Sequence, residues 1–562
     1  MRKSFYYTII LLCLSTIYSY GQSLPVGSAA LEDYYRRSQL AGKLDSTVSF
    51  TVRPIIPKAA FGVKDMDYPD STETRYNLIN ADRSGLSKDG KLRWQLLPMG
   101  VLLQNNSHHP YGWNDGAMIP AKGFQTLLTA GIFAEYGPLT IQLKPEFVMA
   151  ANSSFDTFDK NHYDVTAARY YDFYNNIDLP ARFGGDGINK VYWGQSSIRL
   201  NYKALSFGLS TENLWWGPGM RNSLLMSNNA PGFKHLTLNT KKPIKSPIGF
   251  FEGQIIAGRL EESGYGVLEP EREYFNQPLY VPKPNDWRYL SGLVLTWQPK
   301  WVPGLFLGLT RSAQHYSTGL NSFGDYLPFF SSKKQEAASE AINKRDQRNS
   351  YFMRWLWTEE KAEVYFEFGR NNYSGSLNDL ALEPNVSRAY IFGVRKLFPF
   401  GSRSGESLML SAEVTQMQET DISKVLNLDS WYTSKNIRQG YTNRGEVLGA
   451  GIGPGANHQS VEVSWVKGLK RLGFQIERLV HNNDLYYYIF NDSRDYRRHW
   501  TDLSFGASGD WNYKNFLFNA KLQGIQSLNY QWYLMQQPDQ SYMVPGKDVF
   551  NLQIQMGVTY RF

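Results

Sequence analysis

The stretch V-F-N-L-Q-I-Q-M-G-V-T-Y-R-F, residues Val549 to Phe562, alternates apolar and polar side chains along its whole length. A period of two over fourteen residues predicts a β-strand with one apolar and one polar face. Such a strand, ending in an aromatic residue, is typical of the closing strand of an outer-membrane β-barrel. The alternative is the edge strand of a soluble sheet, but a long apolar edge invites aggregation. The apolar face holds Phe550, Leu552, Ile554, Met556, Val558, Tyr560 and Phe562.

The other end of the sequence has the pattern of a secretory signal peptide. Arg2 and Lys3 form a positive start, and residues 8–17 form a short apolar core. Small residues near Gly21 predict cleavage there, so we expect residues 1–21 to be removed and the mature chain to begin at Gln22. Cys13 is the single cysteine and lies inside this segment. The mature chain is therefore expected to have neither a disulfide nor a reactive thiol.

Composition supports a strand-built membrane protein. No run of eighteen apolar residues follows the predicted signal, so no transmembrane helix is expected. A mean hydropathy of −0.43 is compatible with a barrel, because only alternate residues face lipid. Aromatic residues make up 15% of the chain, as expected for girdles at both bilayer interfaces. The formal charge of +8 is mild and dispersed, and predicts no nucleic-acid partner.

Strand-like stretches occur in pairs joined by very short turns, and long polar segments separate the pairs. Examples of the turns are residues 136–138, 203–204, 301–304, 359–361, Gly468 and 511–513. This alternation is typical of outer-membrane barrels, which have short periplasmic turns and long extracellular loops. Counting strands gives roughly 16–18. The fold predicted is all-β, a transmembrane antiparallel barrel over residues 89–562.

Two segments do not fit this strand pattern. Ala29–Lys43 has helical spacing and precedes the first strand, so we predict a plug element within an N-terminal segment covering residues 22–88. Residues 333–344 are rich in good helix formers and predict a helix in a long connection. For both segments a disordered surface loop is the alternative. Polar strand faces are expected to point into the lumen, where charges of opposite sign should pair: Lys144, Glu146, Arg199, Glu367, Lys521 and Arg561.

Enzyme signatures are mostly absent from the sequence. It has no H-E-x-x-H, no G-x-S-x-G and no G-x-x-x-x-G-K-[ST] motif. His108 and His109 are adjacent but are better explained as a loop pair than as a metal site. We therefore expect no catalytic residues, no metal and no cofactor.

The densest mixture of aromatic and polar residues lies between Leu214 and Asn239. Trp215 and Trp216 precede Gly217-Pro218-Gly219, which presets a tight turn. Aromatic faces beside amides and guanidinium groups suit sugars, because C–H faces stack on rings and amides bind hydroxyls. The alternative is a pair of interfacial tryptophans followed by an ordinary loop. We expect the tryptophan pair and Arg221 at the outward end of the barrel. The polar residues of this candidate ligand-binding segment are Arg221, Asn222, Asn228 and Asn229.

Two further segments have similar chemistry. Residues 431–455 contribute Tyr432, Arg438, Tyr441, Arg444 and Glu446 as candidate ligand-binding residues. The third segment contributes Glu367, Arg370 and Arg388. In both cases a network of lumen salt bridges is the alternative.

Three motifs carry a resemblance to a known family. They are W-G-P-G-M-R-N-S-L-L-M-S-N-N-A-P-G-F-K-H-L-T-L-N-T at residues 216–240, E-P-N-V-S-R-A-Y at 383–390, and Y-T-N-R-G-E-V-L-G-A-G-I-G-P-G at 441–455. Together they resemble the Wzi-like capsule assembly family of outer-membrane proteins, in the form typical of Bacteroidetes. The resemblance implies an approximately 18-stranded barrel with a small helical periplasmic plug. It also implies a non-enzymatic lectin that anchors capsular polysaccharide at the cell surface.

Three functions remain open at this stage. The leading one is a surface polysaccharide-binding barrel; the next is an accessory barrel of a gliding-motility or protein-secretion machine; a diffusion porin is weaker. The expected location is the outer membrane. The expected partners are surface polysaccharide, outer-membrane lipid, the barrel-assembly machinery during biogenesis and, for the second function, gliding or secretion components.

Overall fold

A computed structural model describes residues 21–70, 76, 84–320, 323–326, 345–371, 381–401, 405–425, 428–490, 499–533 and 547–562. Within these residues, eighteen antiparallel strands close into one barrel, as the sequence predicts. Three of the strands are interrupted and consist of two segments each. Numbered along the barrel, the strands are β1 (Leu92–Asn106), β2 (Gly123–Tyr136), β3 (Leu139–Leu143 and Glu146–Ala150), β4 (Ile188–Tyr192 and Ser197–Tyr202), β5 (Leu205–Ser210), β6 (His235–Thr240 and Ile244–Ser246), β7 (Gly249–Leu260), β8 (Arg288–Pro299), β9 (Leu305–Tyr316), β10 (Asp346–Trp357), β11 (Ala362–Asn371), β12 (Arg388–Pro399), β13 (Glu406–Gln416), β14 (Asn457–Lys467), β15 (Lys470–Val480), β16 (Thr501–Tyr513), β17 (Phe516–Leu528) and β18 (Val549–Tyr560).

The last strand closes the barrel against the first. Tyr560 lies opposite Met99, and Gln553 lies opposite Asn106. Burial along β18 is reversed relative to a soluble sheet, because Phe550 is 59% exposed whereas Asn551 is fully buried. Apolar side chains on the outside and polar ones on the inside are what a bilayer requires. The predicted closing strand is therefore confirmed.

Strand connections at the two barrel ends differ strongly in length. At one end the strands meet in short turns, which assigns that end to the periplasm. The left-handed conformation of Lys203 (φ 48°) and Lys514 (φ 53°) permits two of these tight reversals. One predicted turn is wrong: Trp511–Tyr513 remain in β16, and the chain reverses at Lys514 and Asn515 instead. Among the described residues, no helix has the length and apolar character needed to cross a bilayer.

Short elements outside the barrel wall complete the described structure. The α-helices are α1 (Ala29–Leu40), α2 (Pro57–Phe61), α3 (Asp164–Tyr174), α4 (Phe323–Tyr326), α5 (Asp421–Val425) and α6 (Asn483–Phe490), with 3₁₀ turns at Ser317–Gly319 and Tyr530–Trp532. The short strands are Val52–Arg53, Ser84–Leu86, Trp215–Trp216, Glu273–Tyr274, Gln277–Pro278, Thr442–Asn443 and Glu446–Val447. Ser84–Leu86 pairs with β1, so the end of the predicted plug segment already belongs to the barrel sheet.

Helix α1 is the predicted plug helix, and it lies in the periplasmic end of the lumen. The guanidinium of Arg37 donates to the carbonyl of Gly468 in a short turn, which fixes this depth. Leu40 packs against a cluster of inward-facing apolar residues at the same end: Phe306, Leu356, Leu397, Met409 and Val466. The helix is thus held by both polar and apolar contacts with the wall.

A buried ionic network ties α1 to the wall. Glu363 of β11 accepts from Arg36 of α1 at 2.9 Å and pairs with Arg354 of β10 at 2.6 Å. Arg395 of β12 binds Glu363 at 3.3 Å and Asp33 of α1 at 2.6 Å. Since buried charges are costly unless paired, this network specifies where the helix sits.

Two extracellular connections fold back into the barrel, and we call them the inward loops (residues 211–234 and 417–456). Gly217 donates its backbone N–H to Thr51, so the first inward loop reaches the N-terminal segment. Tyr432 of the second loop donates its hydroxyl to the Leu224 carbonyl at 2.9 Å, which joins the two loops. A hydrophobic cluster formed mainly by these loops and the wall, the lumen core, includes Trp216, Leu224, Trp431, Tyr432 and Leu448.

The predicted lumen charges lie inside the barrel. Arg199, Glu367 and Arg561 are almost completely buried, and Arg199 pairs with Glu212 at 2.6 Å. Lys144, Glu146 and Lys521 line an internal cavity. The prediction of a helix at residues 333–344 lies outside the described residues.

Candidate functional site

The tryptophan pair, predicted at the outward end of the barrel, lies deep inside it instead. Trp215 and Trp216 form a short antiparallel ladder with Arg53 and Val52 of the N-terminal segment. The indole N–H of Trp216 donates to Gln254 at 2.9 Å, and the Arg53 guanidinium lies 4.4 Å from the Trp215 ring centre. Trp216 is completely buried, so its ring offers no open face to a sugar. The expected position is corrected because the loop folds inward to cover the plug.

The three asparagines of the first segment hold the inward loops in place. The amide group of Asn222 donates to the Thr415 hydroxyl at 3.1 Å. Asn228 donates to the Asn114 carbonyl at 2.8 Å, and Asn229 donates to the Val447 carbonyl at 3.0 Å. These amides satisfy backbone and wall groups that would otherwise be buried without partners.

Residues of the second and third segments meet in the lumen core. The Arg348 guanidinium lies 4.5 Å from the ring centre of Tyr441, which stacks on Tyr432 at 6.1 Å. Glu367 accepts from the Ser350 hydroxyl at 2.7 Å. Burial, and to a smaller degree the Asp115 carboxylate, raises the pKa of Glu446 well above its ordinary value. Burial therefore disfavours the charged form of Glu446. The four predicted residues Tyr432, Tyr441, Glu367 and Glu446 act here as internal contacts.

Three predicted arginines brace the connections between strands. Arg370 donates to the carbonyls of Val386 and Glu383. These bonds join the end of β11 to the connection that leads into β12. Arg388 donates to the Asn385 side chain at 3.0 Å. Arg438 donates to the carbonyls of residues 281 and 282 in an extracellular connection.

Arg221 and Arg444 are partly open, as are Arg388 and Arg438, and the first two face different surroundings. Arg221 binds Glu462 at 2.6 Å and Gln475 at 2.8 Å on the inner wall of the barrel. Arg444 binds Glu261 at 2.7 Å, just beyond the outer end of β7, and lies 5.0 Å from the Tyr192 ring centre. Their side chains are 27% and 34% exposed. A role for them in ligand binding stays a prediction.

A cleft that the sequence reasoning missed lies among the extracellular connections, and we call it the outer cleft. Its volume is about 410 Å³, and it is formed by residues 155–181 and 265–283 with Tyr533 from a third connection. Helix α3 supplies one wall, and its sequence D-V-T-A-A-R-Y-Y-D-F-Y carries four aromatic residues within five positions. That concentration of aromatics was the signal available in the sequence. The aromatic residues lining the outer cleft are Phe155, Phe158, Tyr170, Tyr171, Tyr174, Tyr265 and Tyr533.

Stacking and hydrogen bonds fix these rings. Phe158 stacks on Tyr170 with the ring centres 3.9 Å apart, and Tyr170 lies 4.5 Å from Tyr174. Tyr171 donates its hydroxyl to the Glu269 carbonyl at 2.9 Å, and Tyr533 donates to the Thr157 carbonyl at 2.5 Å. Preset rings bind a ligand with little further loss of conformational entropy.

Polar groups of both signs surround the rings of the outer cleft. Arg272 donates to the His162 carbonyl at 3.1 Å, and Lys283 donates to the Tyr174 carbonyl at 3.3 Å. Burial raises the pKa of Tyr174 to about 12, so its phenol stays neutral and can donate or accept a hydrogen bond. Flat rings beside neutral hydroxyls, cations and carbonyls are suited to a hydroxyl-rich ligand.

The outer cleft rests on the inward loops. Asp178, in the wall of the outer cleft, donates its backbone N–H to the Gln439 carbonyl at 2.7 Å. Arg438 holds the carbonyls next to Lys283, as described above. The second predicted segment therefore supports the outer cleft from below, although none of its residues lines the cleft.

An aromatic extracellular cleft above an occupied lumen defines the class of the protein: a plugged β-barrel of the outer membrane. A sequence model of the family "Capsule assembly protein Wzi" matches residues 108–524. The chain therefore belongs to the Wzi capsule assembly family.

Comparison with solved structures agrees with this fold. The chain is similar to Wzi of Escherichia coli, an outer-membrane protein involved in group 1 capsule assembly and described as a carbohydrate-binding β-barrel. The TM-score is 0.53 and the identity 12%, over 83% of this chain and 84% of that one. At this identity the likeness shows the fold alone.

More distant similarity extends to other outer-membrane proteins. OprB of Pseudomonas putida is 12% identical with a TM-score of 0.35, over 84% of this chain and 95% of that one. OprD of Pseudomonas aeruginosa is 8% identical with a TM-score of 0.34, over 82% and 92%. No curated protein matches the chain.

Proposed function

We propose that this protein is a lectin that binds surface polysaccharide in the outer cleft and anchors it, without catalysis, to the outer membrane. The observation that carries the proposal is the set of preset aromatic rings around a cavity of about 410 Å³ on the extracellular side. Family membership supports the same function. The E. coli Wzi structure, described as carbohydrate-binding, adds to that support.

The chemistry of the outer cleft supports a polysaccharide rather than a small apolar ligand. Sugar C–H faces stack on aromatic rings, while the Lys160 ammonium and the remaining donors of Lys283 can bind hydroxyl or carboxylate groups. Tyrosine oxygens whose protons are already donated can still accept from sugar hydroxyls. Each such contact contributes on the order of 1 kcal/mol after exchange with water. A long polymer therefore stays attached through several repeat units or several barrels.

The test is to weaken the outer cleft without disturbing the barrel. Phe155→Ala with Lys160→Ala removes one ring and one cation that line the outer cleft, and neither residue is buried. We expect cells with this double variant to release polysaccharide into the medium while barrel levels stay normal. Tyr163→Ala is the matched control, because Tyr163 is 62% exposed at the start of α3 and does not line the outer cleft.

Unchanged retention in the double variant, with loss only on deletion of the gene, would place the binding site elsewhere. The earlier candidates then become the next target. Arg221→Ala with Arg444→Ala is the variant to test, since these two side chains are partly open.

A second candidate function is an accessory role for a protein partner in a gliding or secretion machine. The observation that favours it is the extracellular hairpin formed by Glu273–Tyr274 and Gln277–Pro278. Its tip carries Phe275, which is 82% exposed, and exposed aromatic residues often mark protein contacts. If Phe275→Ser abolishes gliding or adhesin display while polysaccharide stays attached, this candidate replaces the lectin.

A further inference from the structure

The barrel also encloses a second cavity, which we call the lumen chamber. Its volume is about 430 Å³, and it lies between the N-terminal segment and the inner faces of β1–β3 and β14–β18. Trp113 and Arg221 border it from the extracellular connections. Small-molecule sites usually have volumes of ~300–1,000 Å³, so the lumen chamber is large enough for one.

Three carboxylates of the lumen chamber wall, Glu462, Asp510 and Glu477, are bonded to donors of the wall or of an inward loop. Glu462 binds Arg221 and Arg471, each at 2.6 Å. Asp510 binds Arg471 at 2.9 Å. Glu477 accepts from the Gln523 amide at 2.5 Å. Each of these three acids therefore has a direct partner at 2.9 Å or less, and Lys521 acts on Glu477 only from a longer distance.

Two lysines of the lumen chamber form no close ion pair with a carboxylate of the described residues. Within the part of the chain that the structure describes, neither Lys521 of β17 nor Lys144 of β3 has a carboxylate oxygen within 4.0 Å of its ammonium nitrogen. Both line the chamber. The carboxylates of Glu477 and Glu462 favour the charged form of Lys521, and the guanidinium groups of Arg221 and Arg471 oppose it. An anionic group that enters the chamber can therefore form a direct ion pair with the Lys521 ammonium.

A buried amide donor is also unused on the same wall. Gln475 of β15 is 2% exposed; its Oε1 accepts from Arg221 at 2.8 Å, but its Nε2 has no partner among the described residues. A buried polar group without a partner is destabilising, so a ligand acceptor at this point would be favoured. Between Gln475 and Lys521, β16 presents only Gly506 and Ser508, which leaves space beside the wall.

An aromatic surface completes the lumen chamber. Trp113 is partly exposed, and its indole N–H donates to the Arg221 carbonyl at 3.2 Å. The Trp113 ring packs edge-on against His458 with the centres 5.1 Å apart, so its orientation is fixed. A fixed ring near unused donors is an arrangement that suits a sugar.

We propose that the lumen chamber binds a small carboxylate-bearing sugar of the size of one hexuronate. Lys521 holds the carboxylate, the Gln475 amide donates to a ring hydroxyl or to the carboxylate, and Trp113 packs against the sugar face. The acidic sugar is either free or the terminal residue of a polymer, since both present the same chemistry. This site is separate from the outer cleft and does not depend on the proposed function.

The experiment is isothermal titration of the purified full chain in detergent with glucuronate, and with glucose as the neutral comparison. We expect glucuronate to bind at least tenfold more tightly than glucose. Lys521→Gln should weaken glucuronate binding at least tenfold and leave the weak glucose signal unchanged. Lys203→Gln, at an exposed periplasmic turn, is the matched control and should change nothing.

A second variant tests the same chamber from the neighbouring strand. If Lys521→Gln does not fold, Ser508→Leu fills the chamber from the neighbouring strand and should abolish binding while heat-modifiable migration stays normal. Equal binding of glucuronate and glucose, or displacement of glucuronate by equimolar chloride, would overturn the proposal. A hexuronate oligomer that competes with glucuronate identifies a polymer end as the source; failure to compete identifies the free sugar.

Discussion

Single charges determine how the lumen is filled. Glu363 is surrounded by three guanidinium groups, from Arg36, Arg354 and Arg395, and only Arg36 belongs to the plug helix. One wall carboxylate therefore specifies the depth and rotation of α1. Removing it leaves Arg36 and Arg354 buried without this counter-ion, while Arg395 keeps Asp33, and this costs more than the loss of an exposed pair.

We predict that Glu363→Gln loosens the plug. Breaking a buried ion pair costs about 3–5 kcal/mol, because the remaining charges stay buried without a counter-ion. Limited proteolysis in urea should cleave residues 21–70 of the variant at a lower urea concentration than in the original chain. Glu360→Gln is the control: Glu360 pairs with Lys396 at 3.5 Å at the surface and should have little effect. Equal cleavage of both variants would show that the network does not hold the plug.

Two buried carboxyl groups make the stability of the extracellular connections depend on pH. Burial, and next the Asp484 carboxylate, raises the pKa of Glu419, and burial also raises the pKa of Asp484. The backbone N–H of Glu419 donates to Asp484 at 2.8 Å, and Lys424 and Lys435 offset the shift only in part. Because the folded state favours protonated Glu419, its stabilising effect is complete below the ordinary pKa of 4.5 and is lost as pH rises toward the raised value.

We therefore predict that helix α6, which carries Asp484, becomes less protected from hydrogen exchange as pH rises from about 5 to 8, after correction for intrinsic exchange. Glu419→Gln should remove most of this dependence and increase protection at pH 8, since glutamine imitates the protonated acid. A pH dependence that is the same in the variant and the original chain would assign the effect to other groups.

At the scale of elements, alternation along a strand determines which face meets lipid. On β18, Met556 is 56% exposed, whereas its neighbour Gln555 lines the lumen chamber. We predict that Met556→Glu impairs barrel assembly and Gln555→Glu does not. A lysine or arginine on the lipid face at mid-bilayer costs ~2–4 kcal/mol and an acidic residue somewhat less. Heat-modifiable migration on gels measures assembly, and normal migration of Met556→Glu would contradict the assignment of faces.

Strands and the plug helix were predictable because their signals are local. Alternation in Val549–Phe562 and helical spacing in Ala29–Lys43 depend only on neighbouring residues. The position of Trp216 was not predictable, because nothing local shows that its loop turns inward to meet Val52, more than 150 positions earlier. The outer cleft was missed for the same reason: Tyr170 and Tyr533 meet only through tertiary packing.

At the scale of the whole molecule, the lumen is occupied from both ends. The plug enters from the periplasm and the inward loops enter from outside, and they meet where Gly217 donates to Thr51. The space left beside them is the lumen chamber. The filled lumen distinguishes this protein from an open diffusion pore, in which the lumen is a continuous aqueous channel.

We predict that the intact protein gives no large, steady single-channel currents in planar bilayers. Deleting residues 22–70 removes the plug from the periplasmic end of the lumen. The variant should show measurable conductance, provided that heat-modifiable migration shows an assembled barrel. Large steady currents from the intact chain would move the porin function to first place.

The contact between the inward loops and the N-terminal segment also has a mechanical consequence. If the outer cleft holds a polymer as proposed, that polymer exerts tension on the protein whenever the surrounding fluid moves. That tension passes from the outer cleft through the two inward loops to the plug, and from the plug sideways into the strands. The force is therefore distributed over many hydrogen-bonded strands of the barrel and is not carried by a single loop. The contacts along this route are Asp178 with Gln439, Tyr432 with Leu224, Gly217 with Thr51, and Arg36 with Glu363.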